Sequence, residues 1–204
     1  TAANFLSYTN NLLVVRVDAT SYKNAVQTGT AVKIKNQDDY TTNYASGSNS
    51  VGTFAAKWAG ALGNSLKVGL ADSSTFTGWA YESEFDSAPA TSAYATAKSA
   101  SDDEMHIIVV DEDGLFTGTP GTILEKFAYV SKAGDAKKAD GTNNYYKDVI
   151  NANSRYVWWR DHPTTDGASG ALAWGDDAVS GNYDDLASAI AASLSGGVDD
   201  FATS

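Results

Sequence analysis

The strongest constraint on the fold lies at residues 104–131. MHIIVV at 105–110 is an apolar run of strand length, and TILEKFAYVS at 122–131 is a second. Between them stand Asp111 to Gly114 (DEDG) and three further turn formers, Gly118, Pro120 and Gly121. Short apolar runs separated by Gly and Pro read as neighbouring strands joined by a loop. In the second run Ile123, Phe127 and Tyr129 project one way, and Leu124, Ala128 and Val130 the other. Both faces are mostly apolar, which predicts a largely buried strand. The chain must therefore fold around a sheet.

Other segments fill in the frame. Leu12–Val17 (LLVVRV) reads as a buried strand, Ala31–Lys35 (AVKIK) as a short strand with one wet face, and Leu66–Ala71 (LKVGLA) as another strand. Residues 36–52 are rich in Asn, Asp, Ser, Thr and Gly, lack apolar periodicity, and are expected to form a long loop. Phe54 and Trp58, four apart, point to one or two helical turns over 53–59. GALGNS at 60–65 is a turn. Residues 73–94 show weak order signals, but Trp79, Tyr81 and Phe85 should hold them against the core. Residues 95–104 are read as a loop, closed by Asp102, Asp103 and Glu104. Residues 132–144 form a charged loop, Tyr145–Asn151 a short helix, and Arg155–Trp159 (RYVWW) a strand. Residues 161–182 are loop-like. Leu186, Ile190 and Leu194 at four-residue spacing favour a helix over 184–194, with a strand leading into SGGV as the alternative. The whole predicts an α+β class: a β-rich, sandwich-like domain flanked by a few short α-helices.

Composition narrows the function classes. The chain has 204 residues, a formal net charge of −11 and no cysteine. Its acidity argues against direct contact with nucleic-acid phosphates or anionic membranes. Without Cys there are no disulfides, thiolate catalysis or Cys-based metal sites. No apolar run reaches bilayer length, and Asn49, Asn64 and Asn153 have Ser at the wrong offset for glycosylation. The opening TAANFLSYTNNLLVVRV and the ending LSGGVDDFATS read as those of a piece of a longer polypeptide.

Each catalytic or ligand-binding pattern fails on spacing. His106 begins an apolar strand and is expected to be structural; His162, between Asp161 and Pro163, has neither a Cys nor a G-x-S-x-G elbow to serve. In DEDG the Gly comes too early for a calcium loop, and the twelfth position from Asp111 is Thr122. GTPGTILEK at 118–126 lacks the phosphate-loop signature, and Lys126 sits mid-strand. Trp158 and Trp159 are adjacent strand residues, face opposite ways and cannot form one platform; one is expected in the core and the other at a surface or interface. No catalytic residue, cofactor or metal site is assigned.

Three runs carry a family resemblance: GTFAAKWAGALGNSLKV, then LEKFAYVSKAGDAKKADGTNNYYKDVINANSRYVWW, then LSGGVDD, preceded by NFLSYTNNLLVVRV. In this order the chain resembles the contractile tail sheath protein of T-even-type and cyanophage-type myoviruses, over roughly residues 4–198. The resemblance implies a subunit that polymerises around a tail tube and contracts on a baseplate signal to drive the tube through the host envelope. It implies a virion tail location after assembly in the host cytoplasm, with neighbouring sheath subunits, tube and baseplate as partners. Residues 1–204 would be a single middle or outer domain lacking the N-terminal arm and C-terminal domain, with an inserted domain either absent or reduced to the polar loop at about 18–52. Exchangeable charged pairs suit contacts that are remade between rigid subunits, which makes Lys132, Asp135, Lys137 and Lys138 the expected subunit-interface residues. The rival reading is a phage surface module that binds host carbohydrate or receptor, because Ser/Thr/Gly/aromatic stretches such as 73–94 also suit such modules.

Overall fold

The computed structural model describes residues 21–46 and 52–200, and the expected strand at Leu12–Val17 lies outside them. The architecture is α+β. At its centre is a four-stranded antiparallel sheet in the order β5-β4-β2-β8. Here β2 is Leu66–Asp72, β4 Glu104–Asp111, β5 Thr122–Ser131 and β8 Ile190–Ser193. Two small sheets flank it. β1 (Phe54–Ala56) pairs antiparallel with β6 (Val157–Trp159). β3 (Ala100–Ser101) pairs parallel with β7 (Gly181–Asn182). Among the described residues there are three short α-helices: α1 (Gln37–Asn43), α2 (Ala93–Ala97) and α3 (Tyr146–Asn153).

The two expected central strands form, and β4 is buried at every position but its first. The central sheet is covered on both faces. On one, Val68, Leu70, Ile107 and Val109 pack with Phe54, Trp159, Tyr146 and Ile150 of β1, β6 and α3. On the other, Ala71, Ile108 and Val110 meet Phe76, Trp79 and the half-buried Phe85. Residues 73–94 thus lie on the core, as their aromatics require. At the β4–β5 turn the Asp111 carboxylate accepts from Ser65 Oγ (2.6 Å), Phe116 N (3.0 Å) and Thr117 N (2.8 Å). Gly114 is required there: its φ is +79° and a Cβ would stand 2.6 Å from Pro120 N.

Several expectations are corrected. β5 has the expected span but is half-buried: among the described residues it is a sheet edge with β4 as its one strand neighbour in the sheet. Within 53–59, Phe54–Ala56 form strand β1 instead of helical turns; the register Phe54↔Trp159 buries Phe54, Ala55 and Ala56 alike. Residues 184–194 end in strand β8, paired Leu70↔Ile190 on β2, and a spacing of four serves a two-residue period as well as a helical one. Within 36–52 the expected loop holds α1, started by Asn36, whose side chain accepts from Asp39 N at 2.9 Å. Asp38 and Asp39 suit its positive end. AVKIK contributes only an isolated bridge, Val32 to Asn24. Residues 95–104 are not all loop, since α2 and β3 fall there. Both tryptophans of RYVWW are buried: Trp158 stacks on Tyr40 at 4.4 Å and Trp159 meets Phe54 edge-on at 4.6 Å.

The two ends of the described chain meet. Lys23 and Val198 exchange backbone hydrogen bonds of 3.1 Å, and Ser21 N donates to Asp200 Oδ2 at 3.1 Å.

Candidate functional site

The segment 132–144 leaves the end of β5 and passes under the turn at 174–178. Gly134 N donates to Asp176 O (2.9 Å), and Gly175 N donates back to Lys132 O (2.8 Å). Asp135 accepts from Ala178 N (2.9 Å) and from the Tyr94 hydroxyl (2.9 Å), so its carboxylate ties this turn to α2. That bond to the carboxylate holds the Tyr94 phenol above its ordinary range. Beyond Asp135 the chain makes a tight hairpin. Lys137 bridges Asn143, Lys138 N donates to Thr142 O (2.9 Å), and Asp140 caps the tip through Thr142 N (2.9 Å). Residues 137–143 are exposed, with Lys137 and Lys138 on one arm. The result is a stiff, charged projection anchored in a buried base.

Lys132 does not share that exposure. Its Nζ is fully buried, 2.9 Å from Asp72 Oδ2 and 3.0 Å from Asp184 O, with the Trp174 ring centroid 5.1 Å away. Asp72 also accepts from Leu186 N (2.8 Å), Ser74 Oγ (2.8 Å) and Thr75 Oγ1 (2.8 Å). Burial pushes the Asp72 carboxyl up, but Lys132 and these donors outweigh it and hold the carboxyl below its ordinary range. The expectation that Lys132 belongs to an exchangeable surface set is corrected. It is an internal tie between β2, the end of β5 and residues 184–186, out of reach of a neighbouring molecule. Asp135 instead anchors the base of the hairpin whose exposed arm carries Lys137 and Lys138. Sequence reasoning missed Asp72, the residue that decides the fate of Lys132; an acid closing an apolar strand was its one visible signal.

The histidines are engaged in packing. His106 lies fully buried, stacked on Phe85 at 4.2 Å and edge-on to Tyr129 at 4.5 Å. Tyr129 N donates to its Nδ1 (3.1 Å), which places the proton on Nε2, and Nε2 donates to Ser87 O (2.9 Å). Burial lowers its pKa. His162 Nδ1 is hydrogen-bonded to the Tyr146 hydroxyl. Burial, and the positive charge of Lys147 after it, lower the His162 pKa.

A second surface feature lies at the other end of the sheet. Trp58, Leu62, Leu66, Phe116 and Tyr156 line an apolar groove of about 310 Å³. Trp58 is 68% exposed, yet its indole N–H donates to Arg155 O at 2.8 Å and so holds the ring in place.

No family model matches the chain. Over 122 residues the chain is 36% identical to the tail sheath protein of Salmonella phage ViI, a match that covers 59% of this chain and 17% of that protein. The chain therefore spans far less than two thirds of that relative's length. The likeness is thus to one part of a phage tail sheath protein, and it does not reach to the T-even or cyanophage branch.

Proposed function

We propose that this chain is one domain of a structural subunit of a phage contractile tail sheath. The observation that carries the reading is its 36% identity, over 122 residues, to a tail sheath protein several times the length of the match. Two features support the domain assignment. The fold has its own core with two covered sheet faces. Its described ends leave side by side, which suits a unit housed within a longer chain. On this reading residues 1–204 are a middle or outer domain, and the longer protein packs against neighbouring copies, the tail tube and the baseplate in the virion tail, after assembly in the host cytoplasm. Contraction remakes contacts between nearly rigid subunits and needs no catalysis by this domain.

The exposed hairpin with Lys137 and Lys138, anchored through Asp135, is proposed as a subunit contact. Its rigid base and exposed lysines suit charged pairing that can be broken and remade. The carbohydrate-binding reading is not favoured by a particular observation: Trp79 and Phe85 of the 73–94 segment are turned into the core beside His106. The test is electron microscopy of the longer protein that contains this chain, with tubes of sheath form expected. Dispersed particles together with glycan-array binding would overturn the proposal.

A further inference from the structure

The buried pair of Lys132 and Asp72 has more around it than an ion pair needs. Both side chains are closed to solvent, with Nζ 2.9 Å from Oδ2. A third charged group meets the same nitrogen: Asp185 Oδ1 lies 3.5 Å from Nζ, and the Asp185 side chain is 35% exposed. The Trp174 ring walls the nitrogen on another side. By contrast, the Lys67–Glu112 and Lys126–Glu84 pairs are open to solvent. An amine, a carboxyl carbon and a second carboxylate, held together away from water, are the parts of an amide-forming site.

Free in water, an amine and a carboxylate are both ionised and do not condense. Groups held in contact and well oriented react at effective concentrations of about 10⁵–10⁸ M. Exclusion of water also protects the product from hydrolysis. Asp185 supplies the base. Burial raises its carboxyl above the ordinary range, although Lys132 pulls it down. Its exposed edge gives released water a way out. The two oxygens of Asp72 are held differently. Oδ1 accepts from the Ser74 and Thr75 hydroxyls, each at 2.8 Å, and Oδ2 accepts from Leu186 N at 2.8 Å. The hydroxyls are placed to hold negative charge as it develops on Oδ1. The freshly folded chain carries the ion pair, whose charged form is favoured, so the neutral amine is scarce and the reaction slow.

We propose that Lys132 and Asp72 condense into an intramolecular amide, with Asp185 moving the protons. Asp185 takes one proton from the Lys132 ammonium. The freed lone pair attacks Asp72 Cγ and forms the C–N bond, and charge collects on Oδ1. Asp185 passes its proton to Oδ2, takes a second from the nitrogen and passes that on likewise. The Cγ–Oδ2 bond breaks with its electron pair on oxygen, and one water leaves. Ammonium and carboxylate thus give amide and water, and Asp185 ends unchanged. The remaining amide N–H faces Asp184 O, 3.0 Å from Nζ, and Oδ1 keeps its two hydroxyl donors. The cross-link ties the last residue of β2 to the residue after β5, in a chain without cysteine. It does not rest on the sheath reading.

The test is mass spectrometry of the unmutated 204-residue chain, freshly refolded and after days in neutral buffer. The aged chain should lose one water, about 18 Da. Trypsin should then release a branched peptide that joins residues 68–98 to residues 127–137, uncut after Lys132. The branch separates this reaction from dehydration at the Asp-Gly pairs of Asp113, Asp140 and Asp166, which joins no second peptide. Chain aged in urea should show no branch, because contact and burial are lost. Asp185→Asn should slow its formation about 100-fold, with near-ultraviolet circular dichroism showing that the variant is folded. An aged, folded, unmutated chain without the branch would overturn the inference. So would a branch of equal yield in urea, or one formed at an undiminished rate in folded Asp185→Asn.

Discussion

Replacing Lys132 by Met tests whether the fold depends on its buried ion pair. Met keeps most of the apolar stem and removes the ammonium that faces Asp72 Oδ2 at 2.9 Å. Both partners are fully buried. Removing one member of such a pair leaves a charge in a low dielectric and typically costs about 3–5 kcal/mol. Asp72 keeps three donors, Leu186 N, Ser74 Oγ and Thr75 Oγ1, so the cost should fall near the lower end, about 3 kcal/mol. That is a large share of the roughly 5–15 kcal/mol that holds a domain folded. Asp72→Asn should cost less, because Lys132 retains Asp184 O and the partly exposed Asp185 carboxylate. The double variant should recover part of the loss, with a coupling of about 1–3 kcal/mol. Urea unfolding at neutral pH, with and without added salt, is the assay, and a buried pair should respond little to salt. The depressed Asp72 carboxyl adds an acid signature. Its contribution is complete above the unfolded carboxylate value of about 3.9 and is lost as pH falls through the folded value. Lys132→Met should flatten that acid limb. A cost below about 1 kcal/mol, or strictly additive variants, would refute the assignment of Lys132 as an internal tie.

Two other perturbations have clear signs. His106 has a lowered pKa, so its neutral form is favoured by folding and the unfolded chain binds the proton first. Stability is complete above about pH 6.5 and falls as pH drops below it, with His162 acting in the same direction. Urea midpoints measured between about pH 7.5 and 5 should decline, and His106→Gln should shrink the decline; an unchanged slope would contradict a buried neutral imidazole. Gly134→Ala forces a methyl against the Gly175 carbonyl oxygen, a backbone atom with no easy retreat. A loss of about 1–3 kcal/mol in chemical unfolding is expected, and a neutral result would contradict the close approach of Gly134 to the 174–178 turn.

What the sequence reveals depends on how many residues share one environment. β2, β4, β5 and α3 were legible because each repeats its burial pattern over several positions, as MHIIVV does. α1 was hidden because one residue of its seven, Tyr40, is buried, and a single anchor produces no periodicity. β1 was misread because its three residues are all buried, leaving Phe54 and Trp58 to mimic a helical pair. β8 was ambiguous for the spacing reason given above, and β2 decides it by pairing. In the candidate site, the exposed hairpin at Lys137 and Lys138 was legible from its polarity. Lys132, five residues earlier in the same charged stretch, looked identical in kind. Its burial is set by Asp72, sixty positions away, and by Leu186 beyond that, and local sequence carries no trace of either.

Electron microscopy of the longer protein tests most directly whether this chain serves a sheath. Expressed without other phage components, that protein should assemble into hollow tubes. Lys137→Glu with Lys138→Glu should shorten or abolish the tubes and leave the urea midpoint of the 204-residue chain unchanged, since both side chains are exposed. A longer protein that stays dispersed at every concentration tried would contradict the account.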